Sequence, residues 1–183
     1  RSPRSYNSQI GVPLSVWLLN EKSEVGIFEA GISQMGEMGN LQKIIKPTIG
    51  VFTHLGPAHQ ENFFSMEEKC MEKLRLFKDC DVLVYNGDDD QIADCIAKSM
   101  LSVREIAWSR KDAERPLYLS RVTKNGNITD IDYHYIGYDG TIHIPFVDDA
   151  SIEDALHCLA VCLYLMLPQE EIEERMAHLD PVA

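Results

Sequence analysis

Short apolar segments alternate with helix-like segments along the first hundred residues, and this order constrains the fold more than any other feature of the chain. Three segments are β-rich and almost continuously apolar, as is typical of strands buried on both faces: 25–29, 49–53 and 82–86. Helical patterns follow them at 38–46, 65–78 and 89–101. Strands that alternate with helices predict a parallel sheet joined by helical crossovers.

The pattern changes near Pro116, where apolar and polar residues begin to alternate. Two hairpin signals, Asn125-Gly126 and Asp139-Gly140, accompany the alternation and predict antiparallel strands. The strands are expected at 118–122, 128–136 and 141–146, and helices at 151–167 and 169–178. The expected fold class is therefore α/β: a largely parallel sheet flanked by helices, with a small antiparallel sheet.

Composition narrows the range of possible partners. A chain of 183 residues with 45% hydrophobic and 25% charged residues is ordinary for one soluble globular domain. The net charge of -12 argues against binding to nucleic acid or to an anionic membrane surface, so a polyanionic ligand would need a cation such as a metal. No apolar run reaches the roughly 18 residues of a membrane span. The five cysteines are odd in number, and three of them lie in helix-like stretches with apolar neighbours, which predicts reduced thiols in a cytoplasmic protein.

In an open α/β sheet, ligand-binding and catalytic residues are expected at the carboxyl ends of the parallel strands. Two such strand ends carry candidate side chains. Glu29 ends the first predicted strand, either as a metal ligand or as a carboxylate that caps the next helix or pairs with a lysine. His59 follows the second strand on a turn stiffened by Gly56-Pro57. It is either a metal ligand or a hydrogen-bonded surface residue.

A lysine on the helix after this turn is the least usual residue of the chain. The sequence Ser65-Met66-Glu67-Glu68 has the form of a capping box and places the helix start at Ser65. At about 100° per residue, Lys73 then projects into an apolar arc formed by Met66, Cys70, Leu74 and Phe77. Its side chain either reaches a nearby edge or is held where its charge is costly, as a modified, metal-coupled or catalytic lysine.

Four motifs occur together in an order and spacing that is specific. They are Ser5-Tyr6-Asn7-Ser8-Gln9-Ile10-Gly11-Val12-Pro13, Glu29-Ala30-Gly31-Ile32-Ser33, Gly56-Pro57-Ala58-His59-Gln60-Glu61 and Lys73-Leu74-Arg75-Leu76-Phe77. With these motifs the sequence resembles the central domain of the Mur ligases over essentially its whole length. The first motif is most similar to that of the MurF type, which joins D-Ala-D-Ala to a UDP-N-acetylmuramoyl tripeptide.

The resemblance implies an ATP-dependent and Mg²⁺-dependent ligase of peptidoglycan precursor synthesis, and so a role in cell wall formation, cell shape and division. In the family, ATP converts the terminal carboxylate of the UDP-linked peptide to an acyl phosphate, which the amine of D-Ala-D-Ala attacks. By motif match, Glu29 and His59 correspond to metal ligands and Lys73 to a carbamylated lysine that also binds metal. Asn7 corresponds to an asparagine near the substrate.

Nucleotide contacts are expected at two further places. Asn86 and Asp88 resemble the family's Asn-x-Asp segment at a strand end, although an acidic turn exposed to solvent would read the same way. Ser151 and Asp154 stand where family members often carry asparagine or histidine near the adenine, so this part of the site departs from the pattern.

A larger departure concerns the phosphate-binding loop, Gly-x-x-Gly-Lys-Thr. None of the 11 glycines is followed by lysine, so the loop does not occur in the sequence. We therefore expect residues 1–183 to be a central ATP-binding domain shortened at its N-terminus, without the N-terminal and C-terminal domains and inactive by itself. Two alternatives remain open: another amide ligase of the same superfamily, or a degenerate Mur-like scaffold or regulatory domain.

Overall fold

A computed structural model describes residues 6–180, and Ser5, the first residue of the Asn7 motif, lies outside them. The helices are α1 (Gly11–Trp17), α2 (Glu37–Ile45), α3 (Met66–Leu74), α4 (Asp90–Ser99), α5 (Asp149–Tyr164) and α6 (Gln169–Ala177), with short 3-10 helices at Gln60–Asn62 and Arg75–Phe77. The strands are β1 (Ile49–Phe52), β2 (Val82–Asn86), β3 (Arg104–Ser109), β4 (Leu117–Asn125), β5 (Ile128–Tyr135) and β6 (Tyr138–Ile144).

The six strands form one sheet in the order β1-β2-β3-β4-β5-β6. Strand β3 pairs with β4 in parallel, whereas β4 with β5 and β5 with β6 are antiparallel. The antiparallel strands thus continue the sheet that contains the strands joined by helices. The predicted α/β class, with a parallel and an antiparallel part, is confirmed.

The described residues divide into two compact units. The first comprises 6–50, 55–82 and 94–103. Within it, α2 packs against α1, α3 and the 3-10 helix that extends α3. The core of this unit is apolar and includes Val12, Met38, Leu41, Cys70, Leu74 and Phe77, all buried.

The second unit comprises 51–54, 83–93 and 104–180. Here α6 packs against β6, and α5 packs against β3 and α6. Side chains from alternate positions of the antiparallel strands fill the core together with one face of α5. Ile106, Leu117, Ile131, Ile142, Ile144, Ile152 and Leu156 are each completely buried.

One strand prediction is wrong. Residues 25–29 have no regular secondary structure, and the side chains of Val25 and Ile27 are 74% and 93% exposed. A strand needs a hydrogen-bonded neighbour as well as an apolar sequence, and no described strand pairs with this segment. Conversely, the structure contains two elements that were not predicted from the sequence, strand β3 and helix α1.

The two hairpin signals had different outcomes. Gly126, with a φ of 60°, lies in the predicted turn between β4 and β5. The second turn is formed by Ile136 and Gly137, both with positive φ, and not by Asp139-Gly140. Gly140 pairs with Tyr133 inside the sheet, where a Cβ atom would stand only 2.3 Å from the tyrosine ring. This glycine therefore permits close packing and does not make the turn.

Candidate functional site

Helix α3 organises the candidate site, and its start is well defined. The Ser65 hydroxyl accepts a hydrogen bond from the Glu68 amide at 3.0 Å, as the capping box predicts. The Glu68 carboxylate reaches back to the Phe64 amide at 2.8 Å, one residue before the expected partner. These bonds set the helical phase of α3 and hence the directions of its later side chains.

Two charged side chains of α3 are buried, and each binds backbone atoms of a distant segment. The Lys69 ammonium, 2% exposed, donates to the carbonyl oxygens of Gly56, at 2.7 Å, and of Ala58. The Glu72 carboxylate, 0% exposed, accepts from the amides of Gly36 and Met38 at 2.8 and 3.1 Å. Helix α3 thus fixes both the His59 turn and the first turn of α2.

The turn that carries His59 has an unusual backbone. His59 has a φ of 59°, in the left-handed region that non-glycine residues seldom adopt. Two hydrogen bonds close the turn, from the Gln60 amide to the Pro57 oxygen at 3.0 Å and from the Asn62 amide to the His59 oxygen at 3.2 Å. The His59 side chain is exposed and therefore accessible to a ligand.

A carboxylate in the first turn of α2 lies within electrostatic reach of His59. Glu37 accepts hydrogen bonds from the amides of Ser33 and Gln34 and from the Ser33 hydroxyl. Burial acts to raise the pKa of Glu37, but these hydrogen bonds and the charge of His59 outweigh it, so the net pKa is lowered. Asn62, from the His59 turn, donates to the Ser33 carbonyl at 2.9 Å and brings the two segments together.

Glu29 lies in a different setting from the one expected. Its side chain is exposed rather than buried, and it accepts a hydrogen bond from an asparagine. The amide of Asn7 donates to the Glu29 carboxylate at 2.8 Å, and the Asn7 carbonyl accepts from the Gly31 amide at 2.7 Å. The structure therefore brings together Asn7 and Glu29, two residues that motif matching had selected independently.

Lys73 lies one turn beyond Lys69 on the same face of α3 and is partly buried. Burial lowers the pKa of the Lys73 amine, and the neighbouring Lys69 charge lowers it further. The neutral amine, which is the form that can react with CO₂, is therefore easier to reach than in an exposed lysine. The donors suit magnesium, because an accessible carboxylate, an accessible imidazole and a lysine able to form a carbamate would supply oxygen and nitrogen ligands.

Among residues 6–180, no group of three or more His, Cys, Asp or Glu side chains is arranged to hold a metal ion. Convergence of Glu29, His59 and Lys73 on one metal ion stays a prediction.

The predicted nucleotide residues lie in the second unit. Asn86, at the end of β2, donates to the Glu153 carboxylate in the first turns of α5 at 3.0 Å. Both oxygens of Asp88 accept hydrogen bonds, one from the Ser109 hydroxyl and one from the Arg110 amide at 2.8 Å. Asp88 therefore ties the ends of β2 and β3 together.

Ser151 and Asp154, the two nucleotide residues predicted on α5, differ in their contacts. Ser151 donates its amide to Asp148, which caps the start of α5, at 2.8 Å, and Asp154 is exposed one turn further on. The structure thus brings Asn86 close to α5 through Glu153, a residue that the sequence did not single out. Contact of Ser151 or Asp154 with a nucleotide stays a prediction.

Lys69, Glu72 and Glu37 are three further charged residues that the sequence pattern does not single out. A signal existed for Lys69, because a helix that starts at Ser65 places it at the edge of the arc that contains Lys73. Glu72 lies outside that arc, and its burial depends on α2, a segment more than 30 residues earlier in the chain.

Comparison with known proteins identifies the family of the chain. The family model described as Mur ligase middle domain matches residues 1–162, and the chain belongs to this family. The MurF resemblance is also confirmed. A relative named UDP-N-acetylmuramoyl-tripeptide--D-alanyl-D-alanine ligase, from Borreliella burgdorferi, is 27% identical over 92% of this chain and 36% of its own length.

Solved structures show the same fold. MurF from Acinetobacter baumannii superposes with a TM-score of 0.83 at 18% identity, over 97% of this chain and 39% of that protein. MurF from Thermotoga maritima, solved in complex with ADP, gives a TM-score of 0.78 at 19% identity, over 94% of this chain and 40% of that one. The chain thus spans well under half the length of the relatives that it matches. No helix among residues 6–180 is long and apolar enough to cross a bilayer.

Proposed function

We propose that this domain belongs to a cytoplasmic ATP-dependent ligase that adds D-Ala-D-Ala to a UDP-N-acetylmuramoyl tripeptide during peptidoglycan precursor synthesis. The observation that carries the proposal is the match of 92% of the chain to a relative with this name, together with the retained Glu29, His59 and Lys73. The ADP complex of a MurF with the same fold supports ATP as the nucleotide.

In this proposal Glu29, His59 and a carbamate on Lys73 hold magnesium. The bound ion would neutralise charge that develops on phosphate oxygens during phosphoryl transfer. Asn7 orients the Glu29 carboxylate through the hydrogen bond between them and contacts the substrate. Asn86 and Asp88, with Ser151 and Asp154 on α5, contact the nucleotide.

The environment of Lys73 supports its modification. Carbamate formation joins the neutral amine to CO₂ with loss of one proton, so a lysine with a lowered pKa reacts more readily. The product is an anion, which needs a cation near it. A metal held by a carboxylate and an imidazole would supply that cation.

The test is ligase activity of Lys73→Ala in the full-length protein, measured as phosphate release with the UDP-linked tripeptide and D-Ala-D-Ala. We expect activity to fall by roughly 100-fold or more, as for loss of one charge-stabilising group. Short carboxylates such as acetate should restore part of the activity, because they can stand in for the carbamate.

The matched control is Lys98→Ala, which removes an exposed lysine of α4 that pairs with Glu67. This variant should keep full activity with or without added carboxylates. Unchanged activity in Lys73→Ala would contradict the proposal and favour a scaffold or regulatory role for the domain.

A further inference from the structure

The buried ammonium of Lys69 has partners that are unusual for a lysine. It donates to the backbone oxygens of Gly56 and Ala58 and lies 5.9 Å from the centre of the Phe63 ring. Burying an ammonium costs free energy that backbone carbonyls and an aromatic face offset only when they are well placed. An apolar side chain would fill the same space on α3 without that cost, so packing alone does not account for Lys69.

The atoms that Lys69 binds belong to the turn that presents His59. The Gly56 and Ala58 oxygens flank Pro57, and the Ala58 oxygen belongs to the peptide plane that leads directly into His59. His59 follows in the left-handed conformation, with a φ of 59°. Such a conformation is strained for a non-glycine residue and persists only where its surroundings hold it. The hydrogen bond from the Lys69 ammonium to the Ala58 carbonyl oxygen holds this peptide plane in one orientation.

We propose that Lys69 is a positioning residue that fixes the direction in which the turn presents His59, and that it thereby sets the affinity of the His59 site for a divalent cation. This inference rests on the proposed function, since it takes His59 as a metal ligand. Lys69 itself touches neither metal nor substrate in this account. Its effect passes through two hydrogen bonds to the backbone.

The first experiment compares variants of the full-length ligase. Lys69→Met keeps the length of the side chain but removes the charge and the donors, and Lys69→Arg keeps both. Manganese binding, followed by electron paramagnetic resonance, and the magnesium concentration for half-maximal activity are measured for each. We expect Lys69→Met to weaken both by about tenfold, the effect typical of losing a group that orients a metal ligand.

Two controls accompany these variants. Lys69→Arg should recover most of the metal affinity, and Lys98→Met, on the exposed face of α4, should leave it unchanged. A shift in Lys69→Met no larger than that in Lys98→Met would overturn the inference.

A double-mutant cycle separates positioning from general stability. If Lys69 acts through His59, Lys69→Met should cause no further loss of metal affinity in a His59→Ala background. An equal loss in both backgrounds would show that Lys69 acts elsewhere and would overturn the inference. An unchanged metal dependence in His59→Ala alone would overturn the proposed role of His59 and this inference together.

One measurement does not depend on the folding of any variant. In the wild-type chain, NMR with ¹⁵N-labelled lysine and ¹³C-labelled glycine and alanine carbonyls can detect couplings across hydrogen bonds. We expect the Lys69 ammonium to couple to the carbonyl carbons of Gly56 and Ala58. The absence of both couplings would overturn the inference, even if the ligase assay confirmed His59 as a metal ligand.

Discussion

The buried charges of α3 act by binding backbone atoms that lie far away in the sequence. Lys69 supplies donors to carbonyl groups, and Glu72 supplies an acceptor to amides. Hydrogen bonds to charged groups stabilise more than those between neutral groups, but the loss of one partner leaves the other buried and unsatisfied. Helix α3 therefore holds both the His59 turn and the first turn of α2 in place, and the two buried residues that do so tolerate few substitutions.

Glu72→Ala should destabilise the chain, because it leaves the amides of Gly36 and Met38 without their acceptor. We expect a loss of about 3 kcal/mol in the free energy of unfolding, measured by urea denaturation. Glu72→Gln should lose less, since its amide oxygen can still accept both bonds. Glu67→Ala, at an exposed position of the same helix, is the control and should change little. Equal stability of Glu72→Ala and Glu67→Ala would contradict this role for Glu72.

His157 should make the stability of the protein depend on pH. It is buried on α5 with its ring edge-on to Trp108, and burial lowers its pKa below the ordinary value of 6.5, although a hydrogen bond to the Glu153 carbonyl opposes the shift. The unfolded chain therefore binds a proton more readily than the folded chain. Stability due to this group is present above pH 6.5 and is lost as the pH falls from there through the folded pKa.

Urea denaturation at about pH 7.5 and about pH 5.5 brackets this window. His157→Phe keeps a ring against Trp108 but cannot take up a proton, so its loss of stability on acidification should be smaller than that of the wild type. His178→Phe, at the exposed end of α6, should behave as the wild type does. An identical pH dependence in wild type and His157→Phe would rule out His157 as the source.

At the scale of elements, the start of α3 is a local feature with distant consequences. Ser65→Ala removes the hydroxyl that accepts from the Glu68 amide and should cost about 1 kcal/mol of stability, measured by thermal or urea unfolding. Ser65→Asp should retain the cap, because its carboxylate can accept the same bond. Ser120→Ala, on the exposed part of β4, is the control. A loss in Ser65→Ala no greater than in the control would show that the cap is unimportant.

The elements that sequence reasoning predicted best are those whose signals are local. The continuous apolar run of β2 was predicted at its true bounds, and the capping motif located the start of α3 correctly. Residues 25–29 have an equally apolar sequence, but strand formation depends on a pairing partner that the segment itself does not encode. Gly140 was mistaken for a turn residue because its role, making room for the Tyr133 ring, depends on the neighbouring strand.

In the candidate site too, features with a local sequence signal were predicted and features that depend on distant partners were not. Asn7 and Glu29 belong to separate sequence motifs, and a hydrogen bond joins them in the structure. The apolar arc of α3 identified Lys73, and the lowered pKa of its amine agrees with that environment. The contacts of Lys69 and Glu72 were not predicted, because their partners are backbone atoms, which carry no residue type that a sequence pattern could reveal.

At the scale of the whole molecule, the distribution of charge limits what the chain can bind by itself. The net charge of -12 disfavours any polyanion unless a cation or a set of backbone amides compensates. In ATP-using domains that compensation comes largely from a glycine-rich loop, whose amides surround the phosphates and whose lysine neutralises them. Neither a Gly-Lys pair nor that loop occurs in the 183 residues.

The 183-residue chain should therefore bind Mg-ATP weakly or not at all and show no ligase activity. Calorimetric titration should detect no saturable binding below about 1 mM, which corresponds to less than about 4 kcal/mol of binding free energy. The adenine side alone would not overcome the repulsion between the triphosphate and an acidic surface, even with one magnesium ion bound. The full-length protein, titrated under the same conditions, is the control and should bind. A dissociation constant in the micromolar range for the 183-residue chain would mean that groups within residues 6–180 hold the phosphates without the loop.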